Sequence, residues 1–366
     1  MSLTNVLQVV LKGCYAIAPL VRGFYQIIGS NTLNVKADKS IFTIADGAVQ
    51  TLIFNYLLKG VFYRKIGEET ALTNLTADPV NEIPAYTVDG LNIPAKFHTM
   101  IDRLILEMKG LTEEIKDSYD AYAAVLDPID GTREFSTGFG EQCTICFGIV
   151  NKDGKSVGGL IFRPISDGNN MAIPETYAMG CPSEHFYQDT LVHAEQRIMG
   201  LLTSNGRVSP FLQDLIVSMQ RLIPGFRQVC SGGAGNKILL LLAGFCSAYI
   251  QDRGLSNWDT AGAEAILEAR AEKDPFSMGR LYPFLTDRTL VGYNYASVDE
   301  NLSFIPGLAK LTAFNRASPE TDISGYAMSI NQVHPRANLQ GLFAVYGDAD
   351  LYFTGMQTIS SVPEFD

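Results

Sequence analysis

Apolar residues recur at helical spacing from Val6 to Ile27, interrupted by the charges of Lys12 and Arg22 and by Gly13, Pro19 and Gly23. The interruptions predict an amphipathic helix lying on a core rather than a membrane span. A turn at Gly29-Ser30-Asn31 follows, and a second amphipathic run extends from about Ala45 to Leu58 before Gly60 stops it. Residues 73–100 are rich in Pro, Asn and Asp and read as an excursion; helical spacing returns from Ile101 to Ile115. Two apolar runs, Cys143 to Val150 and Val157 to Ile165, flank Asn151-Lys152-Asp153-Gly154-Lys155 and predict a β-hairpin. The largely polar stretch from Ser183 to Asn205 reads as the join between two lobes. Beyond it the pattern alternates: helices at Pro210 to Gln220, Asn236 to Gly244 and Thr260 to Ala271, strands at Phe226 to Cys230 and Ala248 to Gln251. The expected organisation is an α+β lobe over 1–195 and an α/β lobe over 196–366, with only a vague strand-and-loop reading from about Arg316 onward.

Composition narrows the functional classes. At 366 residues and 46% hydrophobic the chain can bury a large core, and no cleavage pattern follows the first helix, so a cytoplasmic protein without a membrane partner is expected. Its six cysteines are scattered through apolar sequence, as reduced thiols are. A net charge of −11 without a Lys/Arg cluster excludes nucleic acid as a partner. Cys143-x-x-Cys146 has no second pair beside it, the histidines lack metal-ligand spacing, and no Gly-x-Ser-x-Gly element exists. Oligomeric state leaves no mark on the sequence.

The chemistry concentrates in Leu126-Asp127-Pro128-Ile129-Asp130-Gly131-Thr132-Arg133-Glu134-Phe135. Asp127 and Asp130 are hard oxygen ligands of the kind Mg²⁺ prefers, Pro128 sets a bend, and the Ile129 carbonyl is a further oxygen donor. Gly131 and Thr132 can offer backbone N–H groups to an anion where a helix begins. An acidic chain can bind a phosphate at such a place if divalent ions sit on the carboxylates and reverse the local charge.

With its Pro and Gly-Thr, this decapeptide resembles the signature of the magnesium-dependent, lithium-sensitive phosphomonoesterases, the superfamily of inositol monophosphatases, bisphosphate nucleotidases and fructose bisphosphatase. Three further segments match: the stretch Lys36 to Asp46, Ile66-Gly67-Glu68-Glu69-Thr70, and Asn257-Trp258-Asp259-Thr260-Ala261-Gly262; with the decapeptide third in order, the four pieces are separated by about twenty, sixty and one hundred and thirty residues. Taken singly, Asp46 and Asp259 read more readily as helix N-caps and Glu68-Glu69 as a solvated pair than as ligands; together and in order, the four pieces read as one metal site. The resemblance implies a layered αβαβα sandwich of the sugar-phosphatase type holding two or three Mg²⁺ ions, with Li⁺ and Ca²⁺ as inhibitors. It makes Asp127 a ligand shared between ions, gives Glu68 and the Ile129 carbonyl to the first ion, and gives Asp130, Asp46 and Asp259 to the others. Glu69 would act through water, Thr132 would orient the attacking water while bonded to Asp46, and the nitrogens of Gly131 and Thr132, beside Asp130, would hold the phosphate.

The insertion between Glu68 and Asp127 resembles the inositol polyphosphate 1-phosphatases and the bisphosphate nucleotidases. Thr73-Asn74 after the Gly-Glu-Glu segment and Gly233-Ala234-Gly235-Asn236-Lys237 favour the polyphosphate 1-phosphatase branch. That resemblance makes Ser231, Gly233, Lys237 and Arg253 contacts to a small phosphorylated substrate. The expected activity is removal of the 1-phosphate of an inositol polyphosphate such as inositol 1,4-bisphosphate. The alternatives are a 3'(2'),5'-bisphosphate nucleotidase and a non-catalytic metal-dependent binding protein of the same fold. The branch's Gly-Gly after the Trp-Asp helix is replaced by Ala269 to Pro275, and the last fifty or so residues match nothing in it.

Overall fold

The computed structural model of the protein describes residues 2–29, 32–35, 41–165, 175–206, 208–252, 255–281, 284–285, 289–295 and 341–359. Its first helix, α1 (Leu3–Tyr25), is long and apolar enough to cross a bilayer, but Val6, Val10, Cys14, Ile17 and Val21 along it are buried in the protein core. Glu184 accepts hydrogen bonds from the N–H groups of Leu3 (2.7 Å) and Thr4 (3.0 Å), satisfying first-turn donors that a helix cannot pair internally. The hairpin β1 (Leu33–Val35) and β2 (Ile41–Thr43) leads into α2 (Ile44–Thr51), which continues as a π-helical turn through Leu52–Leu57. After β3 (Phe62–Gly67), the excursion folds as a small antiparallel sheet of β4 (Thr73–Asn74), β5 (Thr87–Val88) and β6 (Leu91–Asn92), packed on α2. Then come α3 (His98–Thr112), β7 (Tyr119–Asp130), the short α4 (Thr132–Thr137), and strands β8 (Thr144–Asn151), β9 (Ser156–Arg163), β10 (Thr176–Cys181) and β11 (Phe186–Asp189). The second half holds β12 (Gly200–Thr203), α5 (Pro210–Leu222), β13 (Arg227–Cys230), α6 (Ala234–Leu242), β14 (Ala248–Gln251), α7 (Asn257–Ala271), β15 (Phe276–Gly279), β16 (Leu342–Tyr346) and α8 (Ala349–Met356).

Two large sheets result. The first is ordered β11-β10-β9-β8-β7-β3 and is antiparallel except for the β3–β7 pair; the second is ordered β13-β12-β14-β16-β15, with β13, β12 and β14 parallel and β16 antiparallel to its neighbours. Helices α1 and α2 cover the outer face of the first sheet with α3 packed on α1 and the π-helical turn, α6 and α7 lie between the sheets, and α5 and α8 cover the second. This is the αβαβα layering of an α/β fold. Close contact between layers depends on missing side chains: a methyl group on Gly159 of β9 would lie 2.0 Å from the carbonyl oxygen of Gly262 in α7. That contact presses the start of α7, with Asp259, onto the first sheet.

The helices expected from periodicity are present within a few residues, and the hairpin over 143–165 is β8–β9. Strands β3, β7 and β10 to β12 have no counterpart in the periodicity reading. The polar stretch expected to be the join contains β11, an edge strand with partly exposed residues, and β12, four buried residues inside a polar surround. Residues 62–189 supply the first sheet and residues 200–346 the second. Of the final fifty residues, 316–340 and 360–366 lie outside the described set.

Candidate active site

Strands β3 and β7 run parallel with Gly67 opposite Leu126, and the N–H of Glu68 donates to the Leu126 carbonyl at 3.1 Å. Glu68 therefore arrives beside Asp127 at the carboxyl ends of two adjacent strands. Along β7 the pairing slips: Asp127 is opposite Cys146 and Asp130 opposite Thr144, three steps against two. Residues three apart on a regular strand face opposite sides; the extra residue turns both acids the same way. Pro128 occupies the irregularity, where no ladder N–H is needed. Gly131 then takes φ +87°, a left-handed conformation that ends the strand and begins α4.

Asp46 and Asp259 are not N-caps. Each is the third residue of its helix and closes a capping box with the true cap, Thr43 or Ser256. One oxygen of Asp46 accepts from the Thr43 N–H (2.8 Å) and hydroxyl (2.5 Å), while its other oxygen faces the Thr132 hydroxyl at 3.2 Å. One oxygen of Asp259 accepts from the Ser256 N–H at 2.5 Å. The boxes fix both carboxylates while engaging one oxygen of each.

The six acids form two triads. Carboxylate oxygens of Asp46, Glu68 and Glu69 lie within 4.8 Å of one another, as do those of Asp127, Asp130 and Asp259. The Glu68 and Asp127 carboxyl groups share a hydrogen bond that joins the triads. This grouping differs from the resemblance in two respects: Asp46 sits with Glu68 and Glu69, not with Asp130 and Asp259, and the Glu69 carboxylate lies in the triad itself. Gln50 of α2 clamps the segment that carries the glutamates, accepting from the Glu69 N–H (3.0 Å) and donating to its carbonyl (2.6 Å).

Such crowding is costly without cations. Burial, followed by Glu68, Asp130 and Asp259, holds the Asp127 carboxyl well above the usual range. Burial, followed by Glu69 and Glu68, does the same to Asp46. Burial and Asp130 push Asp259 to about 8, against opposing pulls from the Ser256 N–H and Lys237. Two adjoining triads of hard oxygen donors that repel one another fit divalent ions of the Mg²⁺ type. The Ile129 carbonyl is available on the same turn and accepts from the Thr132 hydroxyl at 2.9 Å.

Asp130 has a second role. Its oxygens accept from the N–H groups of Ala234 (2.8 Å) and Gly235 (2.8 Å) and from the Thr144 hydroxyl (2.7 Å), so it sits as the anion at the start of α6. The glycine-rich turn thus directs these two amides at a protein carboxylate. Gln142 fastens that turn: its side-chain oxygen accepts from the Gly232 N–H (2.6 Å) and Asn205 (2.6 Å). Neither Gln142, Gln50 nor Thr144 belongs to a sequence motif. The one available signal, a Gly-rich turn opening a helix, marks the turn but not its clasp.

A cavity of about 420 Å³ opens beside these acids, lined by Asp130, Gly131, Gly233, Lys237 and Asp259 among others. Lys237 is not a solvated lysine: it is 3% exposed, with Nζ 5.1 Å from the centre of the Tyr249 ring. Burial lowers its pKa and Asp130, Glu134 and Asp259 oppose that shift. Ser231, expected to touch substrate, does not line the cavity; its buried hydroxyl accepts from Asn236 at 2.7 Å and donates to Gln142 at 3.4 Å. Arg253 lies outside the described residues. Cys143 and Cys146 are buried free thiols whose pKa values burial raises well above normal, which suits neither redox nor zinc chemistry.

The profile of the inositol monophosphatase family matches residues 3–270. The 3'(2'),5'-bisphosphate nucleotidase 1 of Rattus norvegicus is 31% identical over 149 residues, 39% of this chain and 46% of that protein. The 3'-phosphoadenosine 5'-phosphate phosphatase of Mycobacterium bovis is 25% identical over 202 residues, 51% of this chain and 71% of that protein. The chain spans about half the length of the rat relative it matches. Among solved structures, a staphylococcal inositol monophosphatase complexed with products superposes with a TM-score of 0.51 at 13% identity, covering 88% of this chain and 99% of that one. The suhB protein of Bartonella henselae gives 0.51 at 14% identity, covering 96% and 97%. At these identities the superpositions speak to the fold.

Proposed function

Because the chain belongs to the inositol monophosphatase family, we propose that it is a magnesium-dependent phosphomonoesterase removing one phosphate from a small molecule that carries two. The observation that carries this reading is the pair of carboxylate triads joined through Glu68 and Asp127, two of whose acids, Asp130 and Asp259, line a cavity together with Gly131 and Lys237. Glu68, Asp127 and the Ile129 carbonyl would hold one ion, Asp127, Asp130 and Asp259 a second, and Asp46 with Glu69 would complete the first or a third. Bound there, Mg²⁺ supplies a Lewis acid for phosphoryl oxygens and lowers the pKa of water. The Thr132 hydroxyl, which donates toward Asp46 and the Ile129 carbonyl, would accept a hydrogen bond from the attacking water and fix its direction. The Gly131 and Thr132 amides and the Lys237 ammonium are the donors for phosphate oxygens.

Nucleoside 3',5'-bisphosphate is the substrate we favour, because the relatives in which the sequence match is found are named for it. A second reading, an inositol polyphosphate such as inositol 1,4-bisphosphate, is supported by the described cavity lining, which contains no aromatic ring to stack on a base. The insertion over 73–100, which resembles both branches, packs on α2 and does not line the cavity. Free cysteines suit a reducing compartment such as the cytoplasm, which we propose as the location. Phosphate release from adenosine 3',5'-bisphosphate and inositol 1,4-bisphosphate, measured with Mg²⁺ and with added Li⁺, separates the readings. Preference for the nucleotide supports the first, preference for the inositol the second, and Mg²⁺-dependent release from neither would refute both.

A further inference from the structure

The acids at the cavity's inner end account for the scissile phosphate, but the cavity also has an outer wall carrying an unspent cation. Arg133, second residue of α4, lines the same cavity as Asp130 and Lys237. Its guanidinium reaches Gly206 from the other half of the chain: a methyl group built there would come within 2.8 Å of Nη1. Gly206 therefore leaves room for the guanidinium. The neighbouring acid does not neutralise it. The Glu134 side chain packs against Gly232, where a methyl group would lie 2.2 Å from its carboxyl carbon, and one oxygen accepts from Asn205 at 3.4 Å. Among the described residues Arg133 forms no ion pair, and its side chain is exposed at the cavity rim. A guanidinium stays charged at any working pH and presents a planar fork matched to phosphate oxygens.

We propose that Arg133 is a specificity-determining residue that binds the second, non-reacting phosphate of the substrate. The assignment rests on the phosphomonoesterase reading above. It divides the cavity by chemistry: carboxylates and their ions at the inner end take the phosphate that is cleaved, and the rim guanidinium takes the one that remains. A bisphosphate then gains a charge-assisted contact that orthophosphate, bound at the inner end alone, does not make.

The test is steady-state kinetics of Arg133→Gln with the bisphosphate that the wild-type protein turns over best, together with the inhibition constant of orthophosphate. An exposed Arg-to-Gln change leaves the core intact, and Arg133→Lys reports whether charge alone suffices. The expected result is a KM for the bisphosphate raised about ten-fold or more in Arg133→Gln, with kcat and the orthophosphate inhibition constant unchanged. An unchanged KM, or a KM and inhibition constant raised together, would overturn the Arg133 assignment while leaving the phosphatase reading in place. Wild-type protein that releases no phosphate from any bisphosphate refutes that reading, and the assignment with it.

Discussion

Replacing Gly233 by alanine should damage the site far more than the loss of a hydrogen atom suggests. Gly233 adopts φ +62°, ψ 135°, and a Cβ there would lie 2.5 Å from the Gln142 carbonyl oxygen and 2.9 Å from an Asp130 oxygen. Backbone strain at such a position costs about 1–3 kcal/mol. The clash is with main chain and a fixed carboxylate, so the turn itself must move, and with it the Ala234 and Gly235 amides that hold Asp130, each worth about 1.5–3 kcal/mol as a bond to a charged group. Losing one of them on top of the strain gives a total of about 2.5–6 kcal/mol. Gly225 supplies the control: it has φ +81°, but nothing lies within 4 Å of a Cβ built on it, so Gly225→Ala carries strain alone. Thermal melts and Mg²⁺-dependent phosphate release of both variants are the assay. Gly233→Ala should melt lower than Gly225→Ala by several degrees and lose most of its turnover, while Gly225→Ala keeps its turnover. Equal melting and wild-type turnover in Gly233→Ala would refute the claim that the Gly-rich turn sets Asp130.

Gln142→Ala removes the acceptor of the Gly232 N–H and should cost about 1 kcal/mol of stability and raise KM, while Gln142→Glu, which keeps an acceptor, should recover part of the loss; wild-type kinetics in Gln142→Ala would count against the clasp. The raised carboxyls also predict a pH dependence. Asp259, at about 8 in the folded protein against an ordinary 3.8, keeps its proton where the unfolded chain has lost it, so the magnesium-free protein should lose stability as pH rises from about 4 to about 8 and level off above. Because Mg²⁺ displaces such protons, its stabilising effect in melts against EDTA should be larger at pH 8 than at pH 6; an equal effect at both would contradict the ligand assignment.

What was legible in the sequence was contiguous chemistry. Asp127, Asp130, Glu68 and Asp259 lie in short motifs whose residue types state their use, and the long helices announce themselves by apolar spacing. Strand β7 was harder, because from Ala123 to Asp130 every residue is buried and no alternation of apolar and polar positions survives. The slip that turns Asp127 and Asp130 to one side is a pairing property of β7 with β8 and has no local mark. Strand β12, four buried residues within a polar surround, is too short to show a period. The bonds of Gln142 to Gly232 and of Asp130 to Ala234 span 90 and 104 residues, so they exist only once the two sheets have closed on α6 and α7. The burial of Lys237 has no local mark, because the Tyr249 ring beside its ammonium comes from β14 of the second sheet rather than from its neighbours in sequence.

The central claim is that the two triads are held together to bind divalent ions for phosphate hydrolysis, and Asp127 tests it most directly because it touches both. Asp127→Asn keeps the shape while removing one of the repelling charges. The account predicts a divergence in one variant: phosphate release at saturating Mg²⁺ falls at least about a hundred-fold, while the magnesium-free protein at pH 8 melts higher than wild type. Turnover at the wild-type rate in Asp127→Asn, with no gain in metal-free stability, would contradict it.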